Sequence, residues 1–367
     1  LMSKKKAKKQ SGLNPEQEAV VAHLQGPLRV IATAGSGKTT ALIERAAHLI
    51  ESGVDPNQIL LISFSVIARK EMARRINARL PGTDAGDMCR TFHSIALDIF
   101  RREVDPEKVW AIDTSGALTR IAIRTALNER GIGASPEASN VVFDFLSRAK
   151  NDMLLAPPEL RRLGQGSPGL RLLARKSVLQ LDNTEEDDLI SILYTIEDMR
   201  QKGLRLDGGL RRFANFDDLL VHAVNLLHRH DVRGRWSHRW AYVMQDEAQD
   251  ECAAQAEIAE ALCSYHRNYM VVGDVAQSVY AFRGAQPQRM LRFEDDWPGA
   301  TTLTMMRNYR SGIEIVEASN KLVDHMPPDS VLAVRARSER QTHSFLAAAE
   351  FKTQNDEARA IAANVRA

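Results

Sequence analysis

Lys38 and Thr39 follow a short glycine-rich turn, Ala32-Thr-Ala-Gly-Ser-Gly37, and that turn follows the apolar pair Val30-Ile31. Far downstream a second apolar stretch, from Trp240 to Met244, runs through Gln245 into Asp246-Glu247. Together the two groups have the residue types for phosphoryl chemistry. Gly35 and Gly37 let the backbone turn sharply and present N–H groups to an anion. The cradle runs from Ala34, Gly35, Ser36 and Gly37 to Lys38, Thr39 and Thr40, and the helix that starts there aims its positive end at the same place. Lys38 reaches β- and γ-phosphates, and Thr39 offers its hydroxyl to Mg²⁺. Asp246 can hold the same cation, commonly through water. Glu247 can orient and deprotonate an attacking water. The usual first glycine of the loop is Ala32 here, and Gln245 is polar where a strand position is usually apolar.

These groups need elements to carry them. Val30-Ile31 reads as a buried strand, and a helix-compatible stretch continues to about Ile50. Upstream, Asn14 caps and Pro15 opens a helix over residues 13–24. It carries Gln17, whose carboxamide could read adenine by paired donor and acceptor bonds. Gln58–Ser65 reads as a second buried parallel strand with Phe64 at its C-terminal end, where open α/β sheets place ligands. A basic helix follows over 67–80. Met88–Phe92 is a weaker strand, and Thr91-Phe92-His93-Ser94 again sits at a strand end. From about Arg101 to Ala214 strand signals nearly vanish, Pro157-Pro158 and Gly164–Gly169 are breaks, and the segment reads as a largely helical insertion. The α/β pattern resumes at Phe216. Tyr269–Gly273 is a strand leading to Gln277, Tyr280, Phe282 and Arg283, where an exposed aromatic beside an arginine suits stacking on a single-stranded base. Residues 301–323 give a strand, a turn with Tyr309 and Arg310, and a helix. Ser344–Phe351 reads as a strand and 357–366 as a helix.

Composition narrows the classes. With 367 residues there is room for two or three cores. A formal net charge of +2 means that any nucleic-acid surface must be local. Cys89, Cys252 and Cys263 form no cluster with metal spacing, which suits a reducing compartment. No run approaches 18 apolar residues, the minimum for a membrane-spanning helix. The lysine-rich stretch Leu1–Gln10 has no apolar segment behind it and reads as a disordered basic tail.

The ordered series resembles the motif set of superfamily 1 DNA helicases of the UvrD/Rep/PcrA type. The matching stretches are Leu13–Gln17, Ala32–Thr39, Ser63-Phe64, Thr91–Ser94, Phe216–Leu220, Asp246–Asp250, Gly273-Asp274, Gln277–Tyr280, Phe282–Ala285 and Asn308–Ser311. Ser147–Asn151 resembles part of that family's helical insertion. The resemblance implies an α/β fold of RecA-like type. Residues 13–100 and 215–299 would form the first RecA-like domain, 101–214 the insertion, 300–367 the beginning of a second RecA-like domain, and 1–12 the tail. It implies ATP with Mg²⁺ between the two RecA-like domains, with Gln17 contacting adenine and Tyr309 stacking on it. Gln277 and Arg310 would touch the γ-phosphate and link its loss to movement. Phe64, His93, Tyr280, Phe282 and Arg283 would lie along single-stranded DNA or a single-strand/duplex junction. Movement would run 3′ to 5′, in the cytoplasm, at the nucleoid in a bacterium.

There are departures. After Phe64 the family has Thr-Asn-Lys-Ala-Ala, where this chain has Ser65-Val-Ile-Ala-Arg69, so a polar DNA contact is lost or replaced. Ala248 stands where Phe is common. The family's last motifs lie outside these 367 residues, so the expectation is weak ATP binding, slow hydrolysis and no unwinding by this stretch alone. A second reading stays open, a nucleotide-regulated DNA-binding or scaffold module that does not unwind, whereas an unrelated phosphate-loop kinase leaves Gln277–Ala285 and Tyr309-Arg310 unexplained.

Overall fold

The computed structural model describes residues 12–104, 110–155, 167–181, 184–206, 209–327 and 334–366. Six short strands form one parallel sheet: β1 (Leu28–Ala32), β2 (Ile59–Ile62), β3 (Cys89–Arg90), β7 (Tyr242–Gln245), β8 (Tyr269–Gly273) and β9 (Thr301–Met305), in the order β3-β2-β7-β8-β1-β9. The strands are near-continuous apolar runs because both faces are covered. Side chains alternate between the faces. Ile59 and Leu61 join one core with Val30, Met244 and the helices Lys38–Glu51 and Val66–Arg79. Leu60 and Ile62 join the other with the helices Phe92–Glu103, Phe216–Leu227 and Ala253–Cys263.

Two polar residues inside strands have partners that account for them. Arg29 of β1 is buried, pairs with Glu294 at 2.6 Å, and donates to the carbonyls of Met290 and Leu291. Gln245 of β7 accepts a hydrogen bond from the buried Tyr269 hydroxyl.

Because the six strands are parallel, all their C-terminal ends fall on one edge. That edge receives the phosphate loop, Phe64, Thr91, Asp246-Glu247, Asp274 and Met306, the arrangement in which open α/β sheets bind ligands.

The segment 101–214 has its own core, formed by the helices Ala117–Glu129, Pro136–Asn151, Pro168–Val178 and Glu186–Lys202. It is not free of strands. β4 (Trp110–Ile112), β6 (Gly209–Ala214) and β5 (Leu204–Leu206) form a small sheet, β6 parallel to β4 and antiparallel to β5. They are short, and Arg205, Arg211 and Arg212 interrupt them, so no alternation marked them in the sequence. Four charges lock this segment to the sheet unit. Lys150 lies 2.6 Å from Asp218 and 3.2 Å from Glu197, while Arg200 pairs with both carboxylates. Lys150 and Asp218 are each 1% exposed, so these ions depend on one another rather than on water. His222, packed between Phe100 and Trp110, is driven down to about 4 by burial and by Arg200.

Two expectations need correction at the C-terminal side. Residues 301–305 do not open a second unit at residue 300. They pair along β1 as an edge strand of the first sheet. Ser344–Phe351 is not a strand. A strand requires a paired edge, and here Phe345 is 93% exposed while the Ser344 N–H donates to Glu314 instead. The pairing beyond Met305 is β10 (Arg307–Asn308) with β11 (Arg337–Ser338), parallel, across the helix Ile313–Asp324. A helix over Gln354–Arg366 follows. The lysine-rich stretch 1–10 and the Pro157-Pro158 break lie outside the described residues, as do residues 164–166 of the Gly164–Gly169 break.

Asp218→Asn removes one of two carboxylates facing two buried cations. It is expected to cost about 3–5 kcal/mol of stability in denaturant unfolding. A loss below ~1 kcal/mol, the range of exposed pairs, would show that the cluster is solvated.

Candidate nucleotide site and nucleic-acid groove

The phosphate loop is held open by glycine and by its neighbours. Gly35 and Gly37 have φ of 69° and 85°, in the left-handed region. They also have no room for a side chain. A Cβ on Gly37 would lie 2.6 Å from Gln17 Nε2, and one on Gly35 would lie 2.8 Å from both Asn308 Oδ1 and Arg310 Cβ. The helix Lys38–Glu51 begins immediately after Gly37.

The acid pair faces this helix start. Lys38 Nζ is 3.1 Å from Glu247 Oε2, and Thr39 Oγ1 is 3.3 Å from Asp246 Oδ2. Asp246 is pushed up to about 6, first by burial and then by the charge of Glu247, with Lys38 and the Thr39 hydrogen bond pulling the other way. A desolvated carboxylate beside a hydroxyl offers hard oxygen donors and negative charge in want of a counter-ion, so these residues fit a small divalent cation. Glu247 itself has φ 53°, a strained value for a non-glycine. Gln249 holds it there. Its Nε2 donates to Glu247 Oε2 at 2.8 Å and its Oε1 accepts from the Asp274 N–H at 3.1 Å.

Gln17 is buried in a capping box with Asn14, and its Nε2 donates to the Ser36 carbonyl at 3.0 Å. Asn14 also donates to the Tyr309 hydroxyl at 2.8 Å, which sets Tyr309 beside Gln17. Each end of the Gln17 amide keeps capacity for a further hydrogen bond. Arg310 is exposed, with its Cβ against Gly35. Gln277 follows β8 and is turned to Asp274, to which it donates at 2.5 Å.

On the same edge, Phe64, His93, Tyr280, Phe282 and Arg283 all line one groove of about 820 Å³ between the sheet unit and the insertion. Phe64 stacks on Tyr280 with centroids 4.9 Å apart. Tyr280 meets Phe282 at 6.0 Å. The Arg283 guanidinium lies 5.5 Å and 5.6 Å from the Tyr280 and Phe282 ring centres. Phe282 is 71% exposed, which sets aside a role in the core. His93 is held below its ordinary range by burial, with Asp217 opposing, and its ring meets Phe216 edge-on.

Several site residues were given no role from sequence. Gln249 and Asn308 lay inside quoted motifs, but a glutamine or asparagine shows no function until its partners are known. Phe216 and Arg148 also line the groove.

A parallel α/β sheet with a phosphate loop after β1 and an acid pair after β7 defines a RecA-like phosphate-loop unit. The sequence model of the UvrD/REP helicase N-terminal domain matches residues 13–298. The chain belongs to the UvrD/Rep helicase family. It is 30% identical over 366 residues to the ATP-dependent DNA helicase PcrA of Leuconostoc citreum, covering 97% of this chain and 44% of that protein. It is 32% identical to PcrA of Bacillus subtilis, with 85% and 39% covered, and 30% identical to the ATP-dependent DNA helicase Rep of Escherichia coli, with 86% and 44% covered. The chain thus spans less than half the length of these relatives. Among the described residues no helix is long and apolar enough to cross a membrane.

Gln249→Ala should leave nucleotide binding within about twofold but slow hydrolysis by ~10-fold or more, because the strained Glu247 loses the partner that aims it. Equal loss of binding and turnover would show that Gln249 acts on the fold instead.

Proposed function

We propose that this chain binds ATP with Mg²⁺ and couples its hydrolysis to movement along single-stranded DNA. The observation that carries the reading is that one segment serves both places. Asp246-Glu247 faces the phosphate loop, and Asp250 and Cys252, a few residues on, line the aromatic groove. A change at one can therefore be felt at the other over a short, buried path.

Lys38 would neutralise charge on the transferring phosphate, and Glu247 would take the proton of the attacking water. Thr39 and Asp246 would hold Mg²⁺, which when bound supplies charge to the phosphate oxygens. Gln17 would contact the adenine and Tyr309 would stack on it. Gln277 and Arg310 would sense the γ-phosphate. In the groove, Phe64, Tyr280 and Phe282 would stack on bases, with Arg283 and His93 beside them. That the similar proteins PcrA and Rep are ATP-dependent DNA helicases supports this reading. The substrate would be a single strand, or its junction with duplex, which places the work in the cytoplasm.

Lys38→Ala should abolish DNA-stimulated ATP turnover, and Glu247→Gln should keep ATP binding while stopping hydrolysis. Turnover of Glu247→Gln at the parental rate would remove Glu247 as the base. Phe282→Ala should weaken single-stranded DNA binding by ~1–3 kcal/mol, the worth of one stacked base. An unchanged affinity would remove the groove from the DNA path.

A further inference from the structure

The groove has one wall from the sheet unit and one from the insertion, and a single helical turn joins them to the aromatic loop. Residues 148–152 end the helix Pro136–Asn151. Arg148 donates from Nε to the Asp152 carboxylate and from Nη1 to the carbonyl of Ala281. Ala281 lies between Tyr280 and Phe282, so this bond grips the loop at the middle of its aromatic ladder. Gly284, with φ +94°, backs onto the same turn. A Cβ there would lie 3.0 Å from Asp152 Oδ1 and 3.2 Å from Asn151 Cβ. Asn151 in turn donates to Asp217 at 3.2 Å, beside Phe216.

The turn itself is firm, because Lys150 is sunk in the buried ion cluster. The loop has little packing of its own: residues 281–283 are exposed. A loop of exposed rings that had to be ordered at each binding event would lose affinity to that ordering. Arg148 supplies the order beforehand.

We propose that Arg148 is a positioning residue for single-stranded nucleic acid, fixing the Ala281 carbonyl so that Tyr280, Phe282 and Arg283 are presented as a preformed stacking ladder. This rests on the reading that the groove holds DNA. The alternative use of a groove-lining arginine is direct contact with a phosphate, and the two differ in salt dependence.

The test is fluorescence anisotropy of a labelled (dT)16 oligonucleotide with the 367-residue chain across a KCl series, with melting curves alongside. Arg148→Ala should weaken binding by about tenfold, the scale of one hydrogen bond to a charged group, with the slope of log affinity against log salt unchanged. Arg148→Lys, which can reach only one of the two acceptors well, should recover part of the loss. Gly284→Ala should reproduce the loss from the other side of the clasp with Arg148 retained, because its Cβ would crowd Asp152 Oδ1 at 3.0 Å and meets Arg148 Cδ only at an ordinary 3.7 Å. The effect of Phe282→Ala should shrink in the Arg148→Ala background, since the ring is then already misplaced. A slope shallower by about 0.7, the single-strand value for one phosphate contact, in Arg148→Ala would make Arg148 a phosphate ligand and overturn the proposal. Unchanged affinity in Arg148→Ala and Gly284→Ala, with Phe282→Ala still weakened, would overturn it as well. If Phe282→Ala also bound normally, the groove reading itself would fail. Should Arg148→Ala melt far below the parent, Gly284→Ala and Arg148→Lys decide.

Discussion

The mutual neutralisation of Lys150, Arg200, Glu197 and Asp218 is the interaction on which the groove depends. Each ion would be costly to bury alone, and two cations against two carboxylates leave no net charge inside. Apolar side chains could fill the same space at equal or better stability, but with less directional contact to set a register. The hydrogen-bonded charges here meet in one register. The register here fixes the helix ending at Asn151, from the insertion, against the helix starting at Phe216, from the sheet unit, and the two face each other across the groove. Nothing about the nucleotide site requires the insertion. The groove does, since half of its lining comes from it.

Much of the nucleotide site was legible in the sequence because its chemistry is local. A strand, two glycines, Lys38 and Thr39 occupy a dozen consecutive residues, and Asp246-Glu247 announces itself at the end of an apolar run. Phe64, Tyr280, Phe282 and Arg283 were legible as aromatics and a cation past strand ends, but the exposure of Phe282 was not, since a core aromatic reads the same in the sequence. What could not be seen was pairing over long separations. Thr301–Met305 looks the same whether it closes the first sheet or opens another, and only its register against Leu28–Ala32 decides. The strands of the insertion carry too many arginines to show a period of two. Ser344–Phe351 has apolar content but no edge to pair with, so its content misled. Gln249 and Asn308 act by hydrogen bonds to backbone and carboxylate groups whose positions follow from the fold.

The departure after Phe64 now has a location. Ile67 is 82% exposed and Val66 55% exposed, at the start of the helix that follows Phe64. Of the three residues that stand in place of the polar trio, Ser65 lines the groove, and Val66 and Ile67 follow it as an exposed apolar pair.

The phosphate loop shows how distant segments can prepare a site. A trans peptide points its C=O and the next N–H in opposite directions. The carbonyl of Ala34 accepts from Asn308 Nδ2, that of Gly35 from the Tyr309 N–H, and that of Ser36 from Gln17 Nε2. Each of these bonds draws one carbonyl toward the flanking segments and turns the following N–H, of Gly35, Ser36 or Gly37, the other way. The Ser36 N–H is used on the Thr33 carbonyl, which leaves those of Gly35 and Gly37 for an anion. The loop is thus wired for its ligand by residues 17, 308 and 309, and donors already aimed need no reorganisation when charge arrives. The same bonds make residues 308 to 311 part of the cradle. Asn308 accepts from the N–H groups of Arg310 and Ser311, at 2.8 Å each, while its amide grips the loop. A phosphate that shifts the loop must therefore pull on the backbone that carries Arg310, and the strand pairing of Asn308 with Ser338 takes the strain onward.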